Sequence, residues 1–318
     1  MTNLTTDLKI LQDETLNNLK SSKSVNTLRA YKSDFKDFNF FCLKHGLQSI
    51  PSSPNTVSIY LTNLSKSGSK ISTLRRRLVS IGVVHKLKGH YLDTKHPIIV
   101  ENLLGIKRVK GSIQRGKKPI LINHLNKLIE VISNAKFSEI KKLRDKSLIL
   151  IGFSGGFRRS ELITIDYEDL EFVEEGLKIL VRRSKTDQYG EGHIKGIPYF
   201  QNTTFCPVKA LRDWINISKI NRGPIFRKFN KGFVLSNTRL TAQSVALLIK
   251  NYLNLAGMDS KNYSGHSLRA GFATVTAEAG ADERSIMAMT GHKTTQMVRR
   301  YIREANIFKN NALNKLKI

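Results

Sequence analysis

Apolar positions between residues 24 and 42 fall at Leu28, Tyr31, Phe35, Phe38 and Cys42. Steps of three and four place them on one stripe, which predicts a helix facing a core. Val57, Tyr60, Leu61 and Leu64 repeat the pattern after Pro54 and Asn55, either of which suits a helix start. A third helix is expected where Ile71, Leu74, Leu78 and Ile81 share a face and Arg75, Arg76 and Arg77 lie around the other, and a fourth at about 98–107. Residues 109–120 contain two glycines, four basic residues and no apolar period, the pattern of a connecting segment.

Helical spacing returns in "NHLNKLIEVIS" and "EIKKLRDKSLILIGFSGG". The rhythm then changes in "EGLKILVRRSKTDQYGEGHIKGIPY", where aliphatic and β-branched residues flank Tyr189, Gly190 and Gly192, a hairpin signature. "CPVKALRDWINI" and "TAQSVALLIKNYLNLAG" are helical again, the latter closed by Gly257. The acidic run 168–175 is expected to form a solvated turn. The pattern predicts a mainly α chain with a small antiparallel β-sheet: a helical domain at 1–111, a basic linker at 112–119 and an α+β domain at 120–318 with a tail helix.

Length and composition fit this organisation, since 318 residues with 40% hydrophobic side chains can build two cores. Charge adds a partner. Lys and Arg number 53 against 25 Asp and Glu, a net charge of +28. The excess is not confined to a tail, with 18 basic against 7 acidic side chains in residues 1–112 and 32 against 18 in residues 119–318. A body charged in this way repels itself unless it meets a polyanion, which points to nucleic acid. Arg75, Arg76, Arg77, Arg115, Lys117 and Lys118 are the candidate backbone contacts, although an arginine run is also compatible with a solvated face. No apolar run approaches the roughly 18 residues a membrane span needs, and residues 1–9 lack the layout of a signal peptide. A cytoplasmic, nucleoid-associated location is expected. Cys42 and Cys206 stand far apart, so reduced and mostly buried thiols are expected, with neither a disulfide framework nor a thiolate metal site.

Two short motifs carry candidate chemistry. In "YSGHSLRAGFATVTAEAG", Ser264 or Gly265 can cap a helix, which puts His266 and Arg269 on one face near its positive end, either as an anion site or as a surface pair. In "FSGGFRRSELITID", two glycines precede Arg158, and Glu161 three positions later can hold its guanidinium, either as an anion clamp or as a surface ion pair.

Taken in order, "GGFRRSEL", "SKTDQYGEG", "SGHSLRAG" and "TGHKTTQMVRRY" resemble the active-site boxes of the tyrosine recombinases, or phage-type integrases, in a layout similar to the Cre and Xer members. The resemblance runs from about Ser24 to the end. His292 occupies a position where Cre carries tryptophan. The resemblance implies a core-binding domain and a catalytic domain forming a C-shaped clamp around double-stranded DNA. It implies Tyr301, nine residues after His292, as nucleophile, with Arg158 and Arg269 as the phosphate clamp and Lys185 as general acid. His266 would assist proton transfer at the tyrosine, His292 would hydrogen-bond the phosphate, and Glu161 would support Arg158. The neighbouring Arg159 is the competing choice for the clamp, and register favours Arg158. Strand exchange would proceed through a 3′-phosphotyrosine and a Holliday junction, within a homo-tetramer on two DNA sites, without metal, ATP or other cofactor. The tail stripe Ile307, Phe308, Ala312, Leu313 and Leu316 would dock on a neighbouring subunit. Cleavage within the subunit is expected, as is a simple recombinase without a separate arm-binding domain. A type IB topoisomerase and a non-catalytic DNA-binding regulator are the alternative functions. The DNA site and any accessory proteins are not encoded in these motifs.

Overall fold

The computed structural model describes residues 2–111, 116–184, 187, 191–232, 234–305 and 312–316. The chain divides into two compact units, Met1–Arg115 and Gly116–Ile318.

The first unit contains α1 (Thr2–Ser21), α2 (Val25–Lys44), α3 (Pro54–Lys66), α4 (Ile71–Leu87) and α5 (Pro97–Lys110). Helix α1 was not foreseen, and its described side chains are exposed. Ser24 and Ser53 cap α2 and α3, accepting from the backbone N–H of Thr27 at 3.2 Å and Thr56 at 3.1 Å. Phe38, Cys42, Val57, Tyr60, Leu61, Leu74, Ile81 and Ile99 form the core, so the predicted stripes face one another. Asp34 is buried on α2 and binds Arg76 and Arg77 of α4, while accepting from Ser80 Oγ at 2.7 Å. The three arginines are therefore not equivalent: Arg75 and Arg76 are exposed and Arg77 is partly buried, and Arg76 and Arg77 are directed to a carboxylate that burial requires to be paired.

The second unit begins with α6 (Ile122–Asn134), α7 (Glu139–Ser154) and α8 (Arg159–Thr164). Strands β1 (Leu170–Phe172), β2 (Gly176–Val181) and β3 (His193–Pro198) follow as an antiparallel sheet in the order β1-β2-β3, with Leu170 opposite Ile179 and Val181 opposite His193. The acidic run is thus only partly a turn: three of its residues form β1, and Asp169 is buried, accepting from Arg182 Nε at 2.6 Å. Helix α9 (Pro207–Ser218), an unforeseen two-stranded ribbon of β4 (Arg227–Phe229) and β5 (Leu235–Arg239), and α10 (Ala242–Leu255) lead to α11 (Ser267–Glu278), α12 (Glu283–Thr290) and α13 (Thr295–Ala305).

Helix α7 is apolar or paired nearly all round and runs through the core beside Trp214 and Tyr252. Its buried Asp145 is held by Arg144 at 2.7 Å and by the Tyr252 hydroxyl at 2.7 Å. The segment read as a linker is structured at both described ends. Helix α5 continues to Lys110, and the backbone N–H groups of Lys118 and Ile120 donate to Asn262 and Ser267 at 2.8 and 2.9 Å. Gly271 permits that approach, because a Cβ there would lie 2.0 Å from the Ile120 carbonyl oxygen. Both cysteines are buried and unpaired. In the tail, Leu313 and Leu316 are exposed, and Ile307 and Phe308 lie outside the described residues.

Candidate active site

Two glycine turns build the centre of the second unit. Gly156 after α7 (φ 54°) and Gly291 after α12 (φ 62°) both adopt the left-handed region that glycine tolerates best. Their backbone carbonyls are bound crosswise. Arg158, which follows the first turn, donates from Nη2 to Gly291 O at 3.2 Å. Arg269, on α11, donates from Nη1 to Gly156 O at 3.0 Å and also to Thr290 O. The arginines hold the turns together, and the turns orient the arginines.

Glu161 locks Arg158 in two ways. One carboxylate oxygen accepts from Arg158 Nη1 at 2.5 Å and the other from the Arg158 backbone N–H at 3.0 Å, so the same side chain caps α8 and fixes the guanidinium. With Glu161 only 3% exposed, this pair is not the weak surface bridge that the spacing also allowed. Arg269 is 4% exposed, and its Nη2 is buried without a hydrogen-bond partner among the described residues. Burial and the neighbouring Arg158 charge lower its pKa to about 10, against the opposing field of Glu161 and Tyr301. A buried, unsatisfied guanidinium nitrogen is costly unless an anion completes it.

His292 is buried at the start of the loop into α13, with Nδ1 2.8 Å from Thr290 Oγ1. Burial, then Arg269 and Arg158, push its pKa down to about 4, and Glu161 opposes them. Tyr301, half-buried on α13, packs with Val298, Ile286 and Ala273; its ring centroid lies 6.2 Å from that of His292, with the planes tilted by 30°. His266 is exposed at the N-cap of α11, the position that Ser264 or Gly265 had been expected to fill. The structure therefore gathers Arg158, Glu161, Arg269, His292 and Tyr301 at the two turns. Lys185 and Arg115 lie outside the described residues. Lys117 and Lys118 are exposed, with Lys117 Nζ donating to Lys261 O.

Sequence reasoning missed Lys195. It occupies an inward position on β3, is 1% exposed, and donates from Nζ to Gly155 O at 2.7 Å and to Met289 O. The ammonium also lies 4.3 Å from the Phe157 ring centroid. Burial drives its pKa to about 7; Glu161 opposes that shift, and Arg269 and Arg158 add to it. The available signal was the β3 alternation itself, which places Lys195 and Ile197 on the same inner face. Among the described residues, no group of three or more His, Cys, Asp or Glu side chains is placed to hold a metal ion.

The site presents fixed cations, one carboxylate devoted to orienting a cation, a neutral imidazole and a phenol, a set suited to binding a phosphoryl group and attacking it. Comparison with known proteins agrees. The phage integrase family model matches residues 120–306. An integrase/recombinase xerD homolog of Selenomonas ruminantium is 43% identical over 301 residues, covering 94% of this chain and 87% of the relative. A tyrosine recombinase XerC of Syntrophus aciditrophicus is 26% identical, covering 89% and 88%. Among solved structures, the Tn1549 transposon integrase in complex with transposon right end DNA shares the fold with a TM-score of 0.63 at 16% identity, over 93% of this chain and 95% of the other. The XerH site-specific recombinase bound to palindromic difH substrate has a TM-score of 0.59 at 17% identity, over 81% and 71%. With a family model over more than half its length and a close relative along nearly all of it, this chain belongs to the phage integrase family, the tyrosine recombinases.

Proposed function

We propose that this protein is a site-specific DNA recombinase that cleaves and rejoins strands through a 3′-phosphotyrosine intermediate formed at Tyr301. The observation carrying this reading is Nη2 of Arg269, buried and without a partner among the described residues, beside the Glu161-braced Arg158 in the cluster that holds His292 and Tyr301. A scissile phosphate provides the acceptor that Arg269 lacks, and two rigid forks suit the charge spread over its non-bridging oxygens in the transition state. The phenol attacks phosphorus, the 5′-oxygen leaves, and the new ester preserves the bond energy, so rejoining proceeds without ATP. Arg158 and Arg269 supply the positive charge that a metal ion supplies elsewhere. Lys185 protonates the leaving oxygen, while His266 and His292 serve proton transfer and phosphate hydrogen bonding.

The +28 charge supports double-stranded DNA as partner, with Arg75, Lys117 and Lys118 among the exposed basic side chains available to phosphates. In this reading the first unit is the core-binding domain and the second is catalytic. Four copies join two sites through their C-terminal tails and pass through a Holliday junction, on nucleoid DNA in the cytoplasm.

The test is a nicked recombination site labelled on the strand that carries the 3′-phosphate. Wild type should give an SDS-resistant adduct, unaffected by chelator. Tyr301→Phe should retain DNA binding and lose the adduct. An adduct that persists in Tyr301→Phe would remove Tyr301 as nucleophile.

A further inference from the structure

Thr290 occupies the join between α12 and the Gly291 turn, with no solvent exposure, and three bonds meet at it. Its backbone carbonyl accepts from Arg269. Its hydroxyl lies 2.6 Å from Ile286 O, one helical turn back, and 2.8 Å from His292 Nδ1. A threonine hydroxyl has one proton, and a carbonyl oxygen has none to offer. The contact with Ile286 O is therefore attractive only when the hydroxyl donates its proton there, the ordinary back-bond of a threonine within a helix. The oxygen is left with lone pairs toward the imidazole, so Nδ1 must bring the hydrogen.

We infer that Thr290 is a positioning residue that fixes His292 as the Nδ1–H tautomer, making Nε2 the atom that receives the Tyr301 phenol proton during strand cleavage. This deepens the recombinase reading and rests on it, and it moves to His292 the phenol-proton transfer that the resemblance implies for His266. In the cleavage step a bond forms between Tyr301 Oη and phosphorus, and the P–O5′ bond breaks. The leaving 5′-oxygen keeps that electron pair and takes a proton from the general acid, while the phenol proton passes to His292 Nε2. The resulting imidazolium still donates Nδ1–H to Thr290, and its new Nε2–H can donate to a phosphate oxygen. Rejoining reverses each transfer. Neutral His292 cannot donate to the phosphate from Nε2, so its two roles are sequential.

The surroundings favour this order. Burial and the Arg269 and Arg158 charges keep the ring neutral in the DNA-free protein, with Lys195 adding to them and Glu161 opposing. The ring stands beside Tyr301, at a centroid separation of 6.2 Å. Thr290 couples proton transfer to the clamp, since one residue holds both the imidazole through its hydroxyl and Arg269 through its carbonyl.

The experiment compares wild type with Thr290→Val, which keeps the branched shape and removes the hydroxyl, and with Thr290→Ser, which restores it. Single-turnover adduct formation is followed on the nicked site from pH 6 to 9, alongside DNA binding and thermal melting. Two-bond ¹H–¹⁵N spectra of histidine-labelled protein report the tautomer, with the His292 signal assigned by its loss in His292→Gln. Wild type should show Nδ1–H. Thr290→Val should bind DNA normally and cleave about 10- to 100-fold more slowly, a smaller loss than the roughly 100- to 10,000-fold that a positioned acid–base histidine contributes, because the imidazole remains and only its tautomer is released; Thr290→Ser should recover most of the rate. An Nε2–H tautomer in wild type overturns the inference even if Thr290→Val fails to fold. Wild-type kinetics in a folded Thr290→Val, or a Thr290→Ser as slow as Thr290→Val, also overturn it. If wild type forms no Tyr301-dependent adduct, the recombinase reading falls and this one with it. Normal wild-type cleavage with unaltered Thr290→Val kinetics removes only the assignment to Thr290.

Discussion

Replacing Lys195 with methionine should make the stability difference from wild type depend on pH. Lys195 is 1% exposed, and burial takes its pKa from 10.5 to about 7, so above neutrality the folded chain releases a proton that the unfolded chain retains. A folded-state pKa below the unfolded value means that the unfolded state binds more protons between about pH 7 and 10.5, so wild-type stability gains from this group as pH rises. The whole shift corresponds to about 5 kcal/mol at about 1.4 kcal/mol per pH unit, and about 2 kcal/mol of it falls between pH 7 and 9. Methionine has similar length and no charge and cannot show this slope. Its constant penalty is the loss of the donors to Gly155 O and Met289 O, about 1–3 kcal/mol for each carbonyl left unsatisfied. Wild type minus Lys195→Met should therefore grow by about 2 kcal/mol from pH 7 to 9, other titrations cancelling in the difference. Trp214, fully buried and the only tryptophan, reports unfolding of the second unit by fluorescence in urea at fixed ionic strength. A difference that stays constant or shrinks as pH rises would refute the reasoning, because Lys195 would then be an ordinary protonated lysine.

Two other substitutions probe how the site is assembled. Gly271→Ala places a Cβ 2.0 Å from the Ile120 carbonyl oxygen, a backbone atom that cannot step aside, and should destabilise the second unit by about 3 kcal/mol in the same Trp214 assay. Arg158→Lys keeps the charge and loses the fork that binds Glu161 and Gly291 together, so adduct formation should fall at least about 100-fold while DNA affinity changes little. Measured rate and affinity falling in parallel would instead make Arg158 a binding contact.

Much of the fold was legible because burial repeats with the period of the element. Phe38, Cys42, Val57, Tyr60, Leu61, Leu74 and Ile81 were expected on inner faces, and all are buried. The β2–β3 hairpin was visible for the same reason. Helix α1 and the β4–β5 ribbon were not. Leu4, Leu8 and Leu11 of α1 do stand at helical spacing, a signal the sequence reading passed over although the described side chains of that helix are exposed, whereas residues 235–239, "LSNTR", have no apolar alternation and only partly buried or exposed side chains. Arg158, Glu161, Arg269, His292 and Tyr301 were found by the order and spacing of their boxes, yet spacing alone left Arg158–Glu161 and His266–Arg269 open as surface pairs. Burial separates the cases: Glu161 and Arg269 are enclosed, and His266 is exposed.

The sequence by itself determined the helical periods, the glycines able to take left-handed turns, the basic excess and the set of chemical groups available, since these depend on residue type and local spacing. Only the tertiary structure decided which groups meet. Lys195 reaches carbonyls 40 and 94 positions away, Arg269 crosses to Gly156, and Arg158 crosses to Gly291. Partners so distant in sequence leave no local pattern. Yet their convergence lowers the pKa of Lys195 and leaves Arg269 Nη2 buried without a partner among the described residues, because desolvation and hydrogen-bond geometry exist only once the chain has closed around them.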